Sequence, residues 1–170
     1  MFSIKNCAPP KDALLNKYAY SGAYTDCYRT EVARVVTHEE YVAAFYTTLL
    51  FKLERIILKW AVSRPSSDAQ AKQLANGAID TFAAWQVEDR CENQLLLTDF
   101  QGRTRSWLMV AAVNTAGVES TQLFFGSAVT PVKNAETGKM SPGFMFSMLL
   151  GFHKCYSMLL LYSAKSNLNR

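Results

Sequence analysis

The stretch that decides the fold is "AAWQVEDRCENQLLLTDFQGRTRSWLMVAAV", residues 83–113. Short runs of apolar and polar residues alternate between tight turns, a pattern typical of antiparallel strands joined as hairpins. Gln101–Gly102 supplies the turn between the second and the third of these strands. A fourth strand ends at Pro131, which has no N–H to donate to a neighbouring strand. We predict strands at about 81–89, 93–99, 104–113 and 121–132.

Both faces of this predicted sheet are apolar at its centre. Trp107 and Met109 share one face of their strand, whereas Leu108 and Val110 share the other. An antiparallel sheet with one face in water carries polar residues at every second position, and this sheet does not. We therefore expect an apolar cover on both faces, or an interface on one of them.

Capping residues mark the other elements. Thr37 and Glu40 have the spacing of a capping box, which predicts the start of a helix. Ser67 is predicted as the N-cap of a second helix. Ser141 and Pro142 stand in the order of an N-cap and a first helical residue. We predict a first strand at 24–36 and helices at 37–62, 66–80 and 141–166.

The last of these helices is apolar nearly all round, and its segment 143–164 is long enough to span a bilayer. His153 and Lys154 stand at the centre of that segment, where a charge is costly in a membrane. We therefore expect a buried helix and no stable membrane insertion. Because the start of the chain has no long apolar run of a signal peptide, we expect a cytoplasmic protein.

Size and composition exclude several classes of protein. A chain of 170 residues has the length of one domain, and we predict an arm at 1–17 followed by a single domain at 18–170. The net charge is +4, and the basic residues are spread along the sequence without forming a cluster. We therefore expect no nucleic-acid partner. The four cysteines and two histidines lack zinc-ligand spacing, and no glycine-rich phosphate loop occurs. We expect neither a metal nor a cofactor.

The order of these elements resembles the helix-grip domain of the START-like (SRPBCC) superfamily. The segments "YTDCYRTEV", "WQVEDRCENQLLLTDFQGRTRSWLMV" and "HKCYSMLLLYSA" look similar to an uncharacterised family of START-like bacterial proteins, over about residues 18–166. The resemblance implies an α+β fold in which a curved antiparallel sheet wraps around a long C-terminal helix, with two shorter helices after the first strand. It also implies a cavity between sheet and helix, but it assigns no catalytic residue.

Methionine and aromatic residues on the facing surfaces of the sheet and the C-terminal helix are the candidates for lining that cavity. Ligand pockets are mostly apolar with a few well-placed polar groups, here Tyr28, His153 and an arginine. We predict that the partner is an apolar or amphipathic small molecule. Its candidate binding residues are Tyr28, Trp85, Trp107, Met109, Phe125, Met145, Phe152, His153 and Tyr156.

Two other functions stay open. The first is an enzyme of the cyclase or isomerase kind that uses His153 or a carboxylate as acid–base in the same cavity. The sequence has no GxSxG elbow, and His153 and Cys155 point to different sides of a helix, so no catalytic residue is assigned. The second is a structural or interaction protein with a filled core, which forms a homodimer through its second apolar sheet face.

The arginines near the predicted strand ends have two interpretations. Arginine presents a planar fork of donors that could orient an anionic group at the mouth of the cavity. Alternatively, these side chains pair with carboxylates on neighbouring strands at the surface. The residues concerned are Arg29, Arg90, Arg103 and Arg105.

Overall fold

The computed structural model describes residues 4–53, 66–133, 140–141 and 144–169, with 132–133, 140–141 and 144–149 described by their backbone only. The strands are β1 (Lys5–Asn6), β2 (Tyr24–Val32), β3 (Thr81–Phe82), β4 (Trp85–Cys91), β5 (Gln94–Asp99), β6 (Thr104–Thr115), β7 (Val118–Val129), β8 (Val132–Lys133) and β9 (Met140–Ser141). The helices are α1 (Asn16–Tyr20), α2 (His38–Tyr46), α3 (Asp68–Ala75) and α4 (Phe144–Leu168). The fold is therefore α+β, as predicted.

Seven strands form one open antiparallel sheet in the order β1-β2-β7-β6-β5-β4-β3, and β8 pairs with β9 separately. The β6–β7 hairpin turns at Ala116 and Gly117, whose φ angles are +52° and +84°. Two such residues in the left-handed region match the twist of the flanking strands. Because the turn takes only two residues, β6 and β7 extend two and three residues beyond the predicted strand ends.

The predicted helix at 37–62 is interrupted. The capping box of Thr37 and Glu40 is present, but α2 ends at Tyr46 and the chain becomes helical again at residue 49. Thr48 causes the break, because its hydroxyl accepts a hydrogen bond from the N–H of Phe51 at 3.1 Å and so caps a new helix. The rest of the predicted helix, 54–62, lies outside the described residues.

The shorter predicted helices differ less from the structure. Ser67 caps α3 in a capping box with Gln70, and the helix ends at Ala75, five residues before the predicted end at 80. The C-terminal helix, by contrast, begins at Phe144, and Ser141 is not its N-cap. Ser141 instead lies in β9, opposite Val132. The helix packs against α2 and against β2 and β7, as predicted for a cover on the sheet.

The two faces of the sheet have different covers. The helix face, which is covered by α2, α3 and α4, includes Leu108 and Phe125 in a core shared with Phe45 and Leu161. The opposite face we call the N-terminal face, because side chains between Cys7 and Tyr18 pack on it. Both faces are thus covered within one chain, and the expected need for an apolar cover is met.

The N-terminal face is closed by a small second core. Trp107 and Phe124 pack there with Ala13 and Leu15, and Trp107 and Leu15 are fully buried. The predicted division between an arm at 1–17 and a domain at 18–170 falls inside α1, and it stays a prediction. Among the described residues, no helix combines the length and the apolar character that crossing a bilayer requires.

Candidate functional site

A cavity of about 150 Å³ lies between the helix face of the sheet and α4. Its apolar wall consists of Phe45, Phe51, Trp85, Phe125, Tyr156 and Leu160. Polar groups enter the wall from β6, β7 and α4, and they include Ser106, Ser127, His153 and Ser157. An apolar cavity of about 150 Å³ is large enough for a molecule of the size of benzene. The space is therefore suited to one ring, and not to a long chain.

One end of this cavity carries a buried polar cluster, which consists of Asp26, Ser127 and His153. The register of β2 and β7 places Asp26 directly opposite Ser127, although the two residues are 101 positions apart. The Ser127 hydroxyl lies 2.6 Å from Oδ1 of Asp26 and 2.8 Å from Nε2 of His153. The same Nε2 lies 3.3 Å from Oδ2 of Asp26. Two strands and the C-terminal helix thus meet at one carboxylate.

The surroundings of Asp26 keep it ionised. Burial acts to raise the pKa of Asp26, but hydrogen bonds from His153 and Ser127 and the charge of the imidazole lower it by more. The backbone N–H of Ser127 donates a further bond to Oδ1 at 3.1 Å. The net direction of the pKa is downward, so a buried negative charge stands beside the cavity at neutral pH.

Two phenols complete the shell around this carboxylate. The hydroxyl groups of Tyr24 and Tyr28 donate to Oδ2 of Asp26 at 3.3 and 3.5 Å. Burial and the charge of Asp26 raise the pKa of Tyr28 to about 12 and raise that of Tyr24 further. Both phenols are therefore protonated donors at neutral pH, and Asp26 is the common acceptor.

The proton positions follow from the number of available hydrogens. Ser127 has one hydroxyl hydrogen, and the short contact with Asp26 requires that hydrogen, since two bare oxygens would repel each other. We therefore assign a hydrogen to Nε2 of His153, which donates to the Ser127 oxygen. In a Ser-His-Asp triad the aspartate instead holds the other ring nitrogen, and the serine gives its proton to histidine. The cluster is not arranged for a serine nucleophile.

The sequence-predicted site residues divide between three places. Trp85, Phe125, His153 and Tyr156 line the cavity together. Tyr28 is buried on the same face and bonds to Asp26 at the polar end. The side chain of Met145 lies outside the described residues.

Three other predicted site residues do not line this cavity. Trp107 and Met109 lie on the N-terminal face, where they pack with Leu15. Strict alternation along β6 sends them there, because Ser106 and Leu108 occupy the helix face. Phe152 is 69% exposed and stacks on the ring of Tyr156 from outside. The sequence identified two faces but not which of them the C-terminal helix covers.

Sequence reasoning missed Asp26 and Ser127 as members of the site. A signal was present, because each is a polar residue at a strand position whose neighbours two residues away, Tyr28 and Phe125, belong to the core. A buried polar group on a core-facing position needs a hydrogen-bond partner. Phe45 and Phe51 were also missed as cavity residues, although both lie in the segment 37–62 that was predicted as a helix.

Among the described residues, no group of three or more His, Cys, Asp or Glu side chains could hold a metal ion. Of the candidate arginines, Arg105 pairs with a carboxylate and is also among the residues lining the cavity, whereas Arg90 bonds to a backbone carbonyl. Arg105 donates to Oε2 of Glu88 at 3.0 Å, and Arg90 donates to the carbonyl of Leu74 at 2.9 Å. Neither contact involves the polar end of the cavity.

Comparison with known proteins adds no relative to this description. No model of a known protein family matches the chain, and no curated protein matches its sequence at a significant level. The cavity and the polar cluster are therefore the features that bear on the function.

Proposed function

We propose that this protein binds one small, mainly apolar molecule that carries a single polar group. The observation that carries the proposal is the cavity itself, whose aromatic wall ends at the Ser127 hydroxyl and the His153 imidazole. Binding sites for small molecules combine apolar walls with a few placed polar groups in this way. The ring of the ligand would lie among Phe45, Trp85 and Phe125, with its polar group at Ser127.

We also propose that the fold is a helix-grip domain of the START-like kind, from a cytoplasmic bacterial protein. The order of strand, short helices, antiparallel strands and long helix supports this, as does the contact of α4 with β2 and β7. The proposed binding in the cavity depends on the residues that line it, and not on the fold family or on the cytoplasmic bacterial origin.

The cavity limits the ligand in size and charge. Its volume of about 150 Å³ is below the range of roughly 300–1,000 Å³ that is common for ligand pockets. A single six-membered ring with one substituent is the largest ligand that we expect. The buried charge of Asp26 disfavours an anion, whereas the Ser127 oxygen has a second lone pair that can accept from a hydroxyl. A neutral phenol-like molecule fits both conditions.

A titration with three matched probes tests this proposal. Phenol, toluene and benzoate are similar in size but differ in their polar group. We expect saturable binding of one molecule per chain, with phenol bound more tightly than toluene and benzoate bound most weakly. The measurement is the shift of the imidazole C–H resonances of His153 by NMR, with His38 as an internal reference because it does not line this cavity.

A pair of serine substitutions provides the control for that titration. Ser157 is buried in the cavity wall, and Ser157→Leu should fill the space and abolish binding. Ser163 lies on the same helix but does not line the cavity, so Ser163→Leu should bind phenol like the parent. If none of the three probes shifts His153 saturably, or if Ser157→Leu binds as well as the parent, the proposal is wrong.

A second candidate function, acid–base catalysis, is favoured by one observation. Asp26 and His153 converge at the end of the cavity with Nε2 and Oδ2 at 3.3 Å, so a proton could pass between a bound molecule and this pair. An isomerase of this kind would exchange a substrate C–H with solvent deuterium. His153→Gln should abolish such exchange in small ketones, whereas a pure binding protein would show no exchange in the parent.

The third function, a homodimer through the second apolar face, loses its main support. That face was expected to need a partner, but Ala13 and Leu15 of the same chain pack on Trp107 and Phe124 there. Sedimentation velocity of the parent decides the question directly, and we expect a monomer at micromolar concentration.

A further inference from the structure

A pair of cysteines lies on the N-terminal face, on the opposite side of β2 from Asp26. Cys7 follows β1 and stands opposite Cys27 in the pairing of β1 with β2, and its N–H donates to the Cys27 carbonyl at 3.0 Å. The two sulfur atoms are 3.4 Å apart. We propose that Cys7 and Cys27 form a reactive dithiol, which a low-molecular-weight disulfide such as oxidised glutathione converts to an intramolecular disulfide.

The backbone geometry already suits that bond. Residues directly opposite each other in an antiparallel pair have Cα atoms about 4.5–5.5 Å apart. Disulfides are found at Cα separations of about 4.4–6.8 Å, with a bond between the sulfurs of about 2.05 Å. Closing the pair therefore requires the sulfurs to approach by a little over 1 Å through side-chain rotation, with the strands left in place.

The two thiols differ in access. Cys7 is partly exposed, whereas Cys27 is 1% exposed beneath it. Both line a surface groove of about 420 Å³ that is also lined by Pro9, Tyr24 and Lys154. An incoming disulfide of the size of a short peptide can enter such a groove, where it meets both the positive charge of Lys154 and the negative charge of Asp26. Cys7 is consequently the thiol that an external reagent meets first.

The electrostatic surroundings also make Cys7 the thiol that reacts first. The hydrogen bond from Cys27 lowers the pKa of Cys7 against the effect of burial, and the positive charge of Arg29 lowers it further. The hydrogen bond to Cys7 and burial raise the pKa of Cys27. Since the thiolate is the nucleophile in thiol–disulfide exchange, Cys7 attacks first and Cys27 is the resolving thiol.

The reaction is balanced in two steps. The Cys7 thiolate attacks one sulfur of the external disulfide, forms a mixed disulfide, and releases one thiolate that takes up the proton lost from Cys7. Cys27 then loses its proton and attacks the Cys7 sulfur, which breaks the mixed disulfide and releases the second thiol. Two protein thiols are oxidised and one external disulfide is reduced to two thiols. The new bond joins β2 to the start of the segment whose residues Ala13 and Leu15 pack on Trp107.

The experiment uses the full chain with Cys91→Ser and Cys155→Ser, since these two cysteines are exposed and would react on their own. The reduced protein is incubated with oxidised glutathione, the remaining thiols are alkylated, and intact mass and peptide maps are recorded. We expect the loss of both alkylatable thiols, a mass lower by two hydrogen atoms, and one peptide pair that joins Cys7 to Cys27. The thermal midpoint of unfolding should rise on oxidation and fall back on reduction.

Single substitutions separate the roles of the two thiols. In this background, Cys27→Ser should stop at a stable glutathione adduct on Cys7, and Cys7→Ser should leave Cys27 unreacted in the folded protein. Two unreacted thiols in the parent background, a stable adduct on Cys7, or a disulfide between two chains would each overturn the proposal. The mass result on the parent background decides it even if a single variant does not fold.

Discussion

Asp26→Asn tests whether the negative charge of the buried Asp26 carboxylate stabilises the folded protein. The substitution keeps the shape of the side chain but replaces an acceptor with an amide, whose N–H group then faces the donors of His153 and Tyr24. Hydrogen bonds to charged groups contribute about 1.5–3 kcal/mol and those between neutral groups about 0.5–1.5 kcal/mol. In the variant, the hydrogen bonds from Ser127 and His153 change from the charged to the neutral kind, and one donor loses its partner. Together these losses should lower the free energy of unfolding by roughly 3 kcal/mol at neutral pH.

The pH dependence of that loss distinguishes charge from packing. The pKa of Asp26 in the folded protein lies below its ordinary value of 3.8. A depressed folded-state pKa gives stability that is complete above the unfolded-state value and is lost as the pH falls through the folded-state value. The difference between the parent and Asp26→Asn should thus be full near neutral pH and shrink steadily once the pH falls below about 4.

Urea unfolding at neutral pH and at low pH, followed by tryptophan fluorescence, measures both effects. Asp80→Asn is the matched control because Asp80 is exposed, and a surface change of this kind usually alters stability by no more than about 0.5 kcal/mol. Equal stabilities of parent and Asp26→Asn at neutral pH would refute the argument. A loss that stays constant from neutral to low pH would show that shape, not charge, stabilises the cluster.

Three further substitutions test the packing around the site. Trp107→Ala should lower the free energy of unfolding in urea by about 3–5 kcal/mol, because Trp107 is fully buried. Phenol should still shift the His153 resonance, since Trp107 and His153 lie on opposite faces of the sheet, and a loss of binding by the folded variant would contradict this placement. Gly126→Ala should cost about 1–3 kcal/mol, because a Cβ there would lie 2.8 Å from the backbone carbonyl of Asp26 and 2.7 Å from a methyl of Leu15; full rescue by Leu15→Ala would show that the backbone contact does not matter. Thr37→Ala should lower stability by about 1 kcal/mol through loss of the N-cap of α2, and an unchanged urea midpoint would rule out that role.

The local parts of the fold could be predicted from the sequence. Alternation and turn residues located β5 to within a residue or two, and the capping residue Ser67 located the start of α3. The break at Thr47–Thr48 was missed because apolar residues at helical spacing, such as Phe45 and Leu49, continue across it. Beyond the break this spacing no longer marks the buried face, since Leu49 and Leu53 are exposed. The break depends on one hydroxyl acting as a cap, and a threonine in a helical pattern is usually only neutral.

The candidate site could be predicted only in its apolar half. Trp85, Phe125 and Tyr156 were found because large rings on core-facing positions are visible in the periodicity. The partner of His153 was not found, because the contact of Asp26 with Ser127 depends on the register between β2 and β7. A shift of that register by one residue would turn Asp26 to the other face, and strand alternation alone does not determine the pairing of two distant strands.

Replacing the whole polar cluster by apolar residues separates its contribution to stability from its contribution to binding. A buried ion pair costs desolvation, and exchanging all its members for apolar side chains of similar volume is often neutral or stabilising by about 1–4 kcal/mol, although removing one member alone is costly. Asp26→Leu, Ser127→Ala and His153→Leu together should therefore leave the free energy of unfolding unchanged or higher. Of the two phenols that lose Asp26 as acceptor, Tyr28 has Asn6 as a second partner and the partly exposed Tyr24 can turn to water.

The same triple variant should bind phenol no better than toluene, because the polar end of the cavity is gone and its aromatic wall remains. Urea unfolding and a titration followed by the fluorescence of Trp85, in a background with Trp60→Phe and Trp107→Phe, measure the two outcomes on one protein. A triple variant that is several kcal/mol less stable would show that the cluster holds β2, β7 and α4 together. In that case the ligand proposal would lose the observation that supports it, because the polar groups at the cavity would be explained by the fold alone.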